Sequence, residues 1–472
     1  MPYQDLFENK QIEFVKGYAE TKSVQSYVFF PRNIEECVNI IETCKIKGLK
    51  ICSRGSGLSY GDIITNKDNV IVDLTLINKV LSWNDETGIM IVQPGTTFAQ
   101  IFNISFLKNW MLASCPGSQD ITVGGAMSNN VHGKDSFKNG NFGNQVLELK
   151  LLLASGNIIK VNPKQNSNLF RAVIGGMGLL GIVVEIKLQL KKIPSPFVMV
   201  KHKVSKNIFD TIDYMEEVKE NVDFSVAWTD CFTRNNSLGR GFVTSAKWKD
   251  TKQKINENEL KKSLIKSTKI FGILPAKKTW HLLRPFFRPY VIKKLNFLNY
   301  HFHKMRRTIN SQDYQTLLFT NYNFMHNQIP DLKHVYRPEG FLELQAILPL
   351  KNIKNNIKEI ILLCQKLSSE SLLCGIKVHS SDNYFLSFEV DGYSIGITLQ
   401  LKGRKKEDIV SLSKEIFAFT SDCEGKIYLA KDEYLDKNYF KKMYPHYTDF
   451  LKIKNKFDSE GIFTSDLYKR LF

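Results

Sequence analysis

The 472-residue chain has no uninterrupted apolar run long enough to cross a bilayer, so a membrane-spanning protein is not expected. Its first ten residues, M-P-Y-Q-D-L-F-E-N-K, lack the apolar core of a secretory signal. A cytoplasmic or peripheral-membrane location is therefore expected, with the periplasmic face left open. Eight cysteines (37, 44, 52, 115, 231, 364, 374 and 423) contain no C-x-x-C pair, which argues against a zinc ribbon or a disulfide framework and predicts reduced, mostly buried thiols. The nine histidines contain no H-E-x-x-H, and His301 and His303 have no carboxylate near them in sequence, so no metal centre is expected. Acidic residues are missing from Lys261 to Arg307, a stretch with thirteen Lys and Arg. Aromatic and aliphatic residues interleave with those cations, a composition that suits an anionic membrane surface, a nucleic acid, or simply a solvated basic insertion. Pro275, Pro285 and Pro289 exclude one continuous helix there.

Glycine is abundant at two places. Cys115 to Gly133 reads C-P-G-S-Q-D-I-T-V-G-G-A-M-S-N-N-V-H-G, and Arg54 to Asp62 reads R-G-S-G-L-S-Y-G-D directly after an apolar strand-like segment, Leu49 to Cys52. Without side chains at Gly117, Gly124, Gly125 and Gly133, backbone amides can approach a phosphorylated ligand. Two such cradles about sixty residues apart suit a dinucleotide gripped from two sides; two unrelated Gly-rich turns are the alternative. A third run, Gly176 to Gly181, fits G-x-G-x-x-G but follows a helix-like segment and precedes the strand-like I-V-V-E-I-K-L-Q-L, the reverse of a nicotinamide-cofactor fingerprint.

The remaining pattern alternates helix and strand. Asn33 is positioned to cap a helix through Leu49; strands are predicted at 69–74, 79–83 and 88–92, and short helices at 97–102 and 166–174. Ala154-Ser155-Gly156-Asn157 predicts a hairpin between 146–153 and 158–161. From about Pro194 longer strands begin, expected at 224–228, 341–347, 375–379, 386–390 and 394–401.

Taken together, R-G-S-G-L-S-Y-G-D (54–62), P-G-S-Q-D-I-T-V-G-G-A (116–126), V-H-G-K (131–134), G-N-F-G-N (140–144), F-S-V-A-W (224–228), G-F-L-E-L-Q (340–345), L-S-F (386–388), Y-L-A-K-D (428–432) and F-T-S-D-L-Y-K-R-L (463–471) resemble the flavin oxidoreductases of the vanillyl-alcohol-oxidase type. Within that family they are most similar to the branch that oxidises polyprenyl-phosphoryl ribose. The resemblance spans nearly the whole chain except 261–307. It implies an α+β, two-domain architecture with a PCMH-type FAD-binding domain over 1–195. A substrate-binding domain with an antiparallel sheet and the basic insertion 261–307 would occupy 196–415, and 416–472 would return to the FAD domain.

Carried over by position, the resemblance gives FAD to Ser53, Arg54, Gly55, Ser56 and Gly57, continuing through Leu58, Ser59, Tyr60, Gly61 and Asp62. Thr122, Val123, Gly124 and Gly125 join them, and Gly117, Asn129, Asn130, Val131, His132, Ile182 and Tyr428 complete the set. The flavin is expected to be noncovalent, because Leu58 and Ser59 occupy the region where covalently flavinylated relatives carry a histidine.

Lys431 is the leading catalytic candidate, as a base or as a cation that steadies a developing alkoxide. Tyr60, His132, Gln345 and Lys377 are expected to orient hydroxyls or a phosphate, with Trp228, Asn323, Ser394 and Gly396 in the substrate pocket. Two positions depart from the branch: Asn323 replaces a tyrosine, and Gly396 replaces a cysteine to which covalent inhibitors attach. The implied reaction oxidises C2 of a polyprenyl-phosphoryl-β-D-ribose to a ketone, which a short-chain keto-reductase partner then reduces from the other face. The composition of 261–307, which the resemblance does not cover, gives a peripheral membrane surface as the expected partner of that segment. Alternatives are a soluble sugar-lactone or alditol oxidase using oxygen, a flavin-bearing interaction subunit without turnover, and, disfavoured by the double cradle, a basic nucleic-acid-binding protein.

Overall fold

A computed structural model describes residue 7 and residues 12–270, 273–309, 314–324, 327 and 329–472, with the side chains of 306–309 left out. The expected absence of a signal core rests on residues that lie almost wholly outside this range, as do residues 271 and 272 of the basic segment.

Asn33 accepts a hydrogen bond from the Glu36 amide at 2.9 Å and starts the helix Ile34–Lys47, whose Cys37, Ile40, Ile41 and Cys44 face the core. Gly48, at φ 67°, ends the helix in the left-handed conformation that glycine adopts without strain. The chain then enters the strand Ile51–Arg54. That strand runs parallel to Val70–Asp73, which is parallel in turn to Ser23–Phe29, and Ile12–Lys16 closes the other side antiparallel. A second, five-stranded antiparallel sheet has the order Val80–Asn84, Ile89–Val92, Ile182–Gln189, Val146–Leu152, Ile158–Val161. The hairpin at 154–157 forms as its turn residues predict, with Gly156 at φ 82°. Helix Ser167–Val173 precedes the third Gly-rich run and strand Ile182–Gln189 follows it.

The third sheet has eight antiparallel strands in the order Gln315–Leu318, Phe197–Ser205, Gly241–Trp248, Phe224–Thr229, Cys374–His379, Gly392–Gln400, Phe341–Pro349, Lys426–Ile427. Helices Ile208–Val218, Ile353–Lys366 and Lys406–Asp422 cover it through an apolar layer that includes Ile212, Ile357, Ile360 and Phe417. Strand side chains alternate between faces. The alternate set therefore contains Glu343 and Gln345, Lys377, and Ser394. A row of polar groups on a buried sheet face marks the place where chemistry is accommodated.

One expected strand does not form. Residues 386–390 are irregular, because Gly392–Gln400 already pairs on both sides, with Phe341–Pro349 and with Cys374–His379. The alternation read there reflects a fully buried loop, whose Ser387 and Glu389 carbonyls accept from Lys426 Nζ at 2.8 and 3.2 Å. The basic segment breaks at its prolines into helix Ala276–Leu283, the 3-10 turn Arg284–Phe286 and helix Pro289–Ile309. All eight cysteines are free thiols, and only Cys423 is not buried.

The last segment crosses back to the first sheet. Ile51 and Phe463 form a parallel bridge, with the Ile51 amide donating to Ile462 O at 2.7 Å and the Thr464 amide to Ile51 O at 2.8 Å. Arg470 spans Asp62 (2.9 Å, through two nitrogens) and Asp432 (3.0 Å).

Candidate active site

The strand Ile51–Arg54 delivers the first Gly-rich turn to the centre of the molecule. None of the backbone amides of Gly55 through Ser59 finds an acceptor among the described residues, whereas Tyr60 N donates to Ala430 O at 3.0 Å and Tyr18 N to Ser59 O at 2.8 Å. The turn is thus pinned on both sides while its own amides remain free, which is the arrangement of an anion-binding nest. The two Gly-rich segments meet. A Cβ on Gly55 would lie 2.1 Å from Thr122 Oγ1, and one on Gly57 would lie 2.3 Å from an Arg54 guanidinium nitrogen.

The second segment works differently. The amides of Val123 and Gly124 are already bonded to Thr96 O and Pro94 O, both at 2.8 Å. Its glycines give clearance instead: a Cβ on Gly124 would stand 2.8 Å from Pro94.

A single cavity of about 620 Å³ runs along both turns. Beyond Tyr60 it reaches the polar face of the eight-stranded sheet, where Lys377 and Lys431 line it with His132, Lys134 and Asn323. Lys431 Nζ lies 3.0 Å from Glu343 Oε1 and 5.2 Å from the centre of the Tyr60 ring; Thr398 Oγ1 donates to Glu343 Oε2 at 2.5 Å. Lys377 has no hydrogen-bond or ion-pair partner among the described residues. Loss of solvent, reinforced by the charges of Lys431 and Lys134, pushes its ammonium down to about 7.

Burial, followed by the charges of Lys377, His379 and Lys431, holds the His132 imidazole well below its ordinary range, so the ring is neutral near pH 7. Its Nε2 meets the Gln345 side-chain amide at 3.0 Å. Behind it, His379 bonds Glu389 through Nδ1 (2.9 Å) and Ser394 through Nε2 (2.8 Å). Burial raises the Tyr60 phenol far above the usual range, so it stays protonated as a donor. Lys134, pushed down to about 8 by burial, donates to Tyr322 O at 3.0 Å.

Most of the expected residues converge on this cavity. Lining it are Ser53 through Tyr60, Gly117, Thr122, Gly124, Gly125, Asn129, Val131, His132, Asn323, Lys377, Tyr428 and Lys431. Others stand one layer back. Asp62 is tied to Arg470, Gly61 backs onto Asp432 O, and Val123 and Ile182 are core residues. Asn130, at φ 43°, bonds Asp382 at 2.8 Å and accepts from Gly143 N at 2.9 Å. Gln345 and Ser394 act through His132 and His379, while Gly396 sits beside Glu343, 3.5 Å from a Cβ built on the glycine. Trp228 lies farther along the sheet, stacked on Phe242 at 5.2 Å. Sequence reasoning missed Tyr18 and Glu20, Lys134, Lys266, Asp331 and Lys333 on the wall. Of these only Lys134 lay inside a recognised motif; Lys266 belongs to the basic segment, and the others come from segments without a local signature.

The residues fit a dinucleotide. Ser53 Oγ, Arg54 Nε, Asn129 Oδ1 and His132 Nδ1 are buried with no hydrogen-bond partner among the described residues, and five free amides adjoin them. Buried polar atoms left in this state beside a cavity are placed to bond a ligand. Residues 25–162 match the family described as FAD binding domain. The chain carries a PCMH-type FAD-binding domain and is an FAD-dependent oxidoreductase acting on alcohol-type donors.

Over 473 residues, 96% of each chain, it is 26% identical to the decaprenylphosphoryl-beta-D-ribose oxidase of Mycolicibacterium smegmatis. It is also 25% identical over 224 residues to the D-arabinono-1,4-lactone oxidase of Candida glabrata, covering 46% of this chain and 42% of that one. A third relative is the mitochondrial cytochrome D-lactate dehydrogenase of Arabidopsis thaliana, 27% identical over 184 residues, or 38% of this chain and 32% of that one.

Proposed function

We propose that the protein oxidises the C2 hydroxyl of a polyprenyl-phosphoryl-β-D-ribose to a ketone, the first half of an epimerisation that a short-chain keto-reductase partner completes. The observation that carries the reading is continuity. One cavity joins a nest of free amides to a wall bearing Lys431, Lys377 and neutral His132. The likeness to a lipid-linked ribose oxidase across 96% of both chains supports the substrate class, whereas the lactone oxidase is matched over less than half of either chain.

In this reading 1–195 and 416–472 hold FAD and 196–415 presents the sugar. Gly55 to Ser59 bind the pyrophosphate, and Gly124 and Gly125 keep the path clear of side chains. FAD, when bound, supplies the acceptor for the hydride leaving the carbinol carbon.

The chain's own residues handle the proton and the hydroxyl. Lys431 Nζ, held 3.0 Å from Glu343 Oε1, stabilises negative charge developing on the substrate oxygen. Lys377, neutral above about pH 7, takes the hydroxyl proton on Nζ. His132, oriented by Gln345, and the protonated Tyr60 fix the sugar hydroxyls.

The visible spectrum of the purified protein tests the reading. Flavin absorbance that is released by acid and bleaches on anaerobic addition of polyprenyl-phosphoryl ribose is the expected result. Bleaching by free lactones or alditols alone, with peroxide on readmitting oxygen, would replace the lipid-linked substrate by a soluble one.

A further inference from the structure

Twelve of the twenty-five large apolar side chains that stand exposed among the described residues lie between Ile265 and Met305. They include Leu282, Phe286 and Tyr290. On helix Pro289–Ile309 the inward positions are Ile292, Asn296 and Tyr300, at spacings of four. The opposite side carries Leu295, Leu298, Phe302 and Met305, at spacings of three, four and three, each 51–62% exposed. Such a stripe on a helix normally faces a core. Here it faces outward, and Lys293 and Lys294 border it.

The charge around this face is of one sign. No acid occurs from Lys261 to Arg307. Among the described residues Lys277, Lys278, Arg284, Arg288, Lys293 and Lys294 have no carboxylate within ion-pair distance. A nucleic acid would use the cations but would leave the apolar stripe in water. A bilayer with anionic headgroups satisfies both, taking the stripe into its acyl boundary and the cations at its phosphates. No helix among the described residues is long and apolar enough to cross a membrane.

The segment is also fixed to the active site. Trp280 and Ile292 pack in one cluster with Tyr336 and Phe341, against which Tyr18 and Tyr60 of the cavity wall lie. Trp280 Nε1 donates to Pro330 O at 2.7 Å, and Lys266 itself lines the cavity.

We propose that the outward face of residues 265–270 and 273–305 is a docking surface for an anionic lipid bilayer, holding the cavity entrance at the headgroup level. The inference deepens the lipid-linked reading above, because a polyprenyl-borne sugar would reach the cavity from that surface. Its test needs no turnover, so the two can fail separately.

The FAD-loaded protein is floated with vesicles of phosphatidylcholine alone or with about 30% phosphatidylglycerol. Flotation is expected only with the anionic vesicles, decreasing as salt rises. Leu298→Ser/Phe302→Ser and, separately, Lys293→Gln/Lys294→Gln should each weaken it by about tenfold or more with flavin absorbance unchanged. Absence of flotation with either vesicle, or equal flotation of both variants and the parent, would overturn the proposal. Concentration-dependent self-association that the serine variant abolishes would overturn it too, assigning the face to a second copy of the chain.

Discussion

Lys431 Nζ and Glu343 Oε1 stand 3.0 Å apart although 88 residues separate them in the chain. The pair joins the C-terminal segment to the strand Phe341–Pro349 at the polar end of the cavity, and it distinguishes Lys431 from Lys377 by giving it a carboxylate partner. Lys431→Met should lower kcat/KM by about 10²- to 10³-fold while flavin remains bound, in line with the loss of one charged donor at a reacting oxygen. Glu343→Gln, which leaves the lysine in place without its counter-charge, should lower kcat by about tenfold or more and change KM less.

Lys377 sets a pH dependence. Its ammonium is held at about 7, against an ordinary 10.5, so between those values the folded protein carries the neutral amine and the unfolded chain the charged one. Unfolding then takes up a proton, and this group's contribution to stability rises with pH across that window. Activity that needs the free amine should rise through about pH 7 and level off above it. Measured kcat against pH should lose that limb in Lys377→Met; a limb retained in the variant would remove Lys377 from the proton's path.

Gly55 and Thr122 test the meeting of the two cradles. A Cβ at 55 would sit 2.1 Å from Thr122 Oγ1, so Gly55→Val should yield protein depleted of FAD. Adding Thr122→Ala makes room and should restore part of the flavin absorbance, a non-additive response expected of residues in contact.

Arg470 supports the first turn from behind. It neutralises Asp62 and Asp432, both buried, and replacing it leaves two carboxylates without their counter-charge. Arg470→Met should destabilise the protein by about 3–5 kcal/mol, read in denaturant unfolding, with weaker FAD retention.

Gly396 should determine sensitivity to thiol-directed reagents. A Cβ there meets Glu343 Oε1 at 3.5 Å and Gly375 O at 3.7 Å, ordinary contacts, so Gly396→Cys should fold. The native thiols are buried apart from Cys423. Mass spectrometry after mild alkylation should therefore find a new adduct at position 396 in the variant and none near the cavity in the parent.

The cradle was legible because its requirement is local. Glycines at 55, 57 and 124 mark close backbone approaches that any side chain would block, and Asn33, Gly48 and Gly156 punctuate their elements by capping and turn chemistry. What the sequence left ambiguous was which glycines offer free amides, since the Val123 and Gly124 amides are consumed by Thr96 and Pro94 from a distant turn. The strand expected at 386–390 failed for a related reason: its alternation is genuine burial, but pairing depends on a free sheet edge, and none is open beside Gly392–Gln400. Tyr18, Glu20 and Lys333 reach the cavity wall by tertiary packing alone, and no periodicity in their own segments announces it.

The bridge between Ile51 and Phe463 bears on how the protein is made. The strand Ile51–Arg54 emerges from the ribosome well before its neighbour at 463, and the Arg470 clamp follows Asp62 by 408 residues. Until synthesis has passed Arg470, the first turn lacks its rear support and Tyr428 is absent from the wall. Flavin capture should thereby wait until Arg470 has been made, and a nascent chain that stalls before it should hold no cofactor with which to generate unwanted redox chemistry.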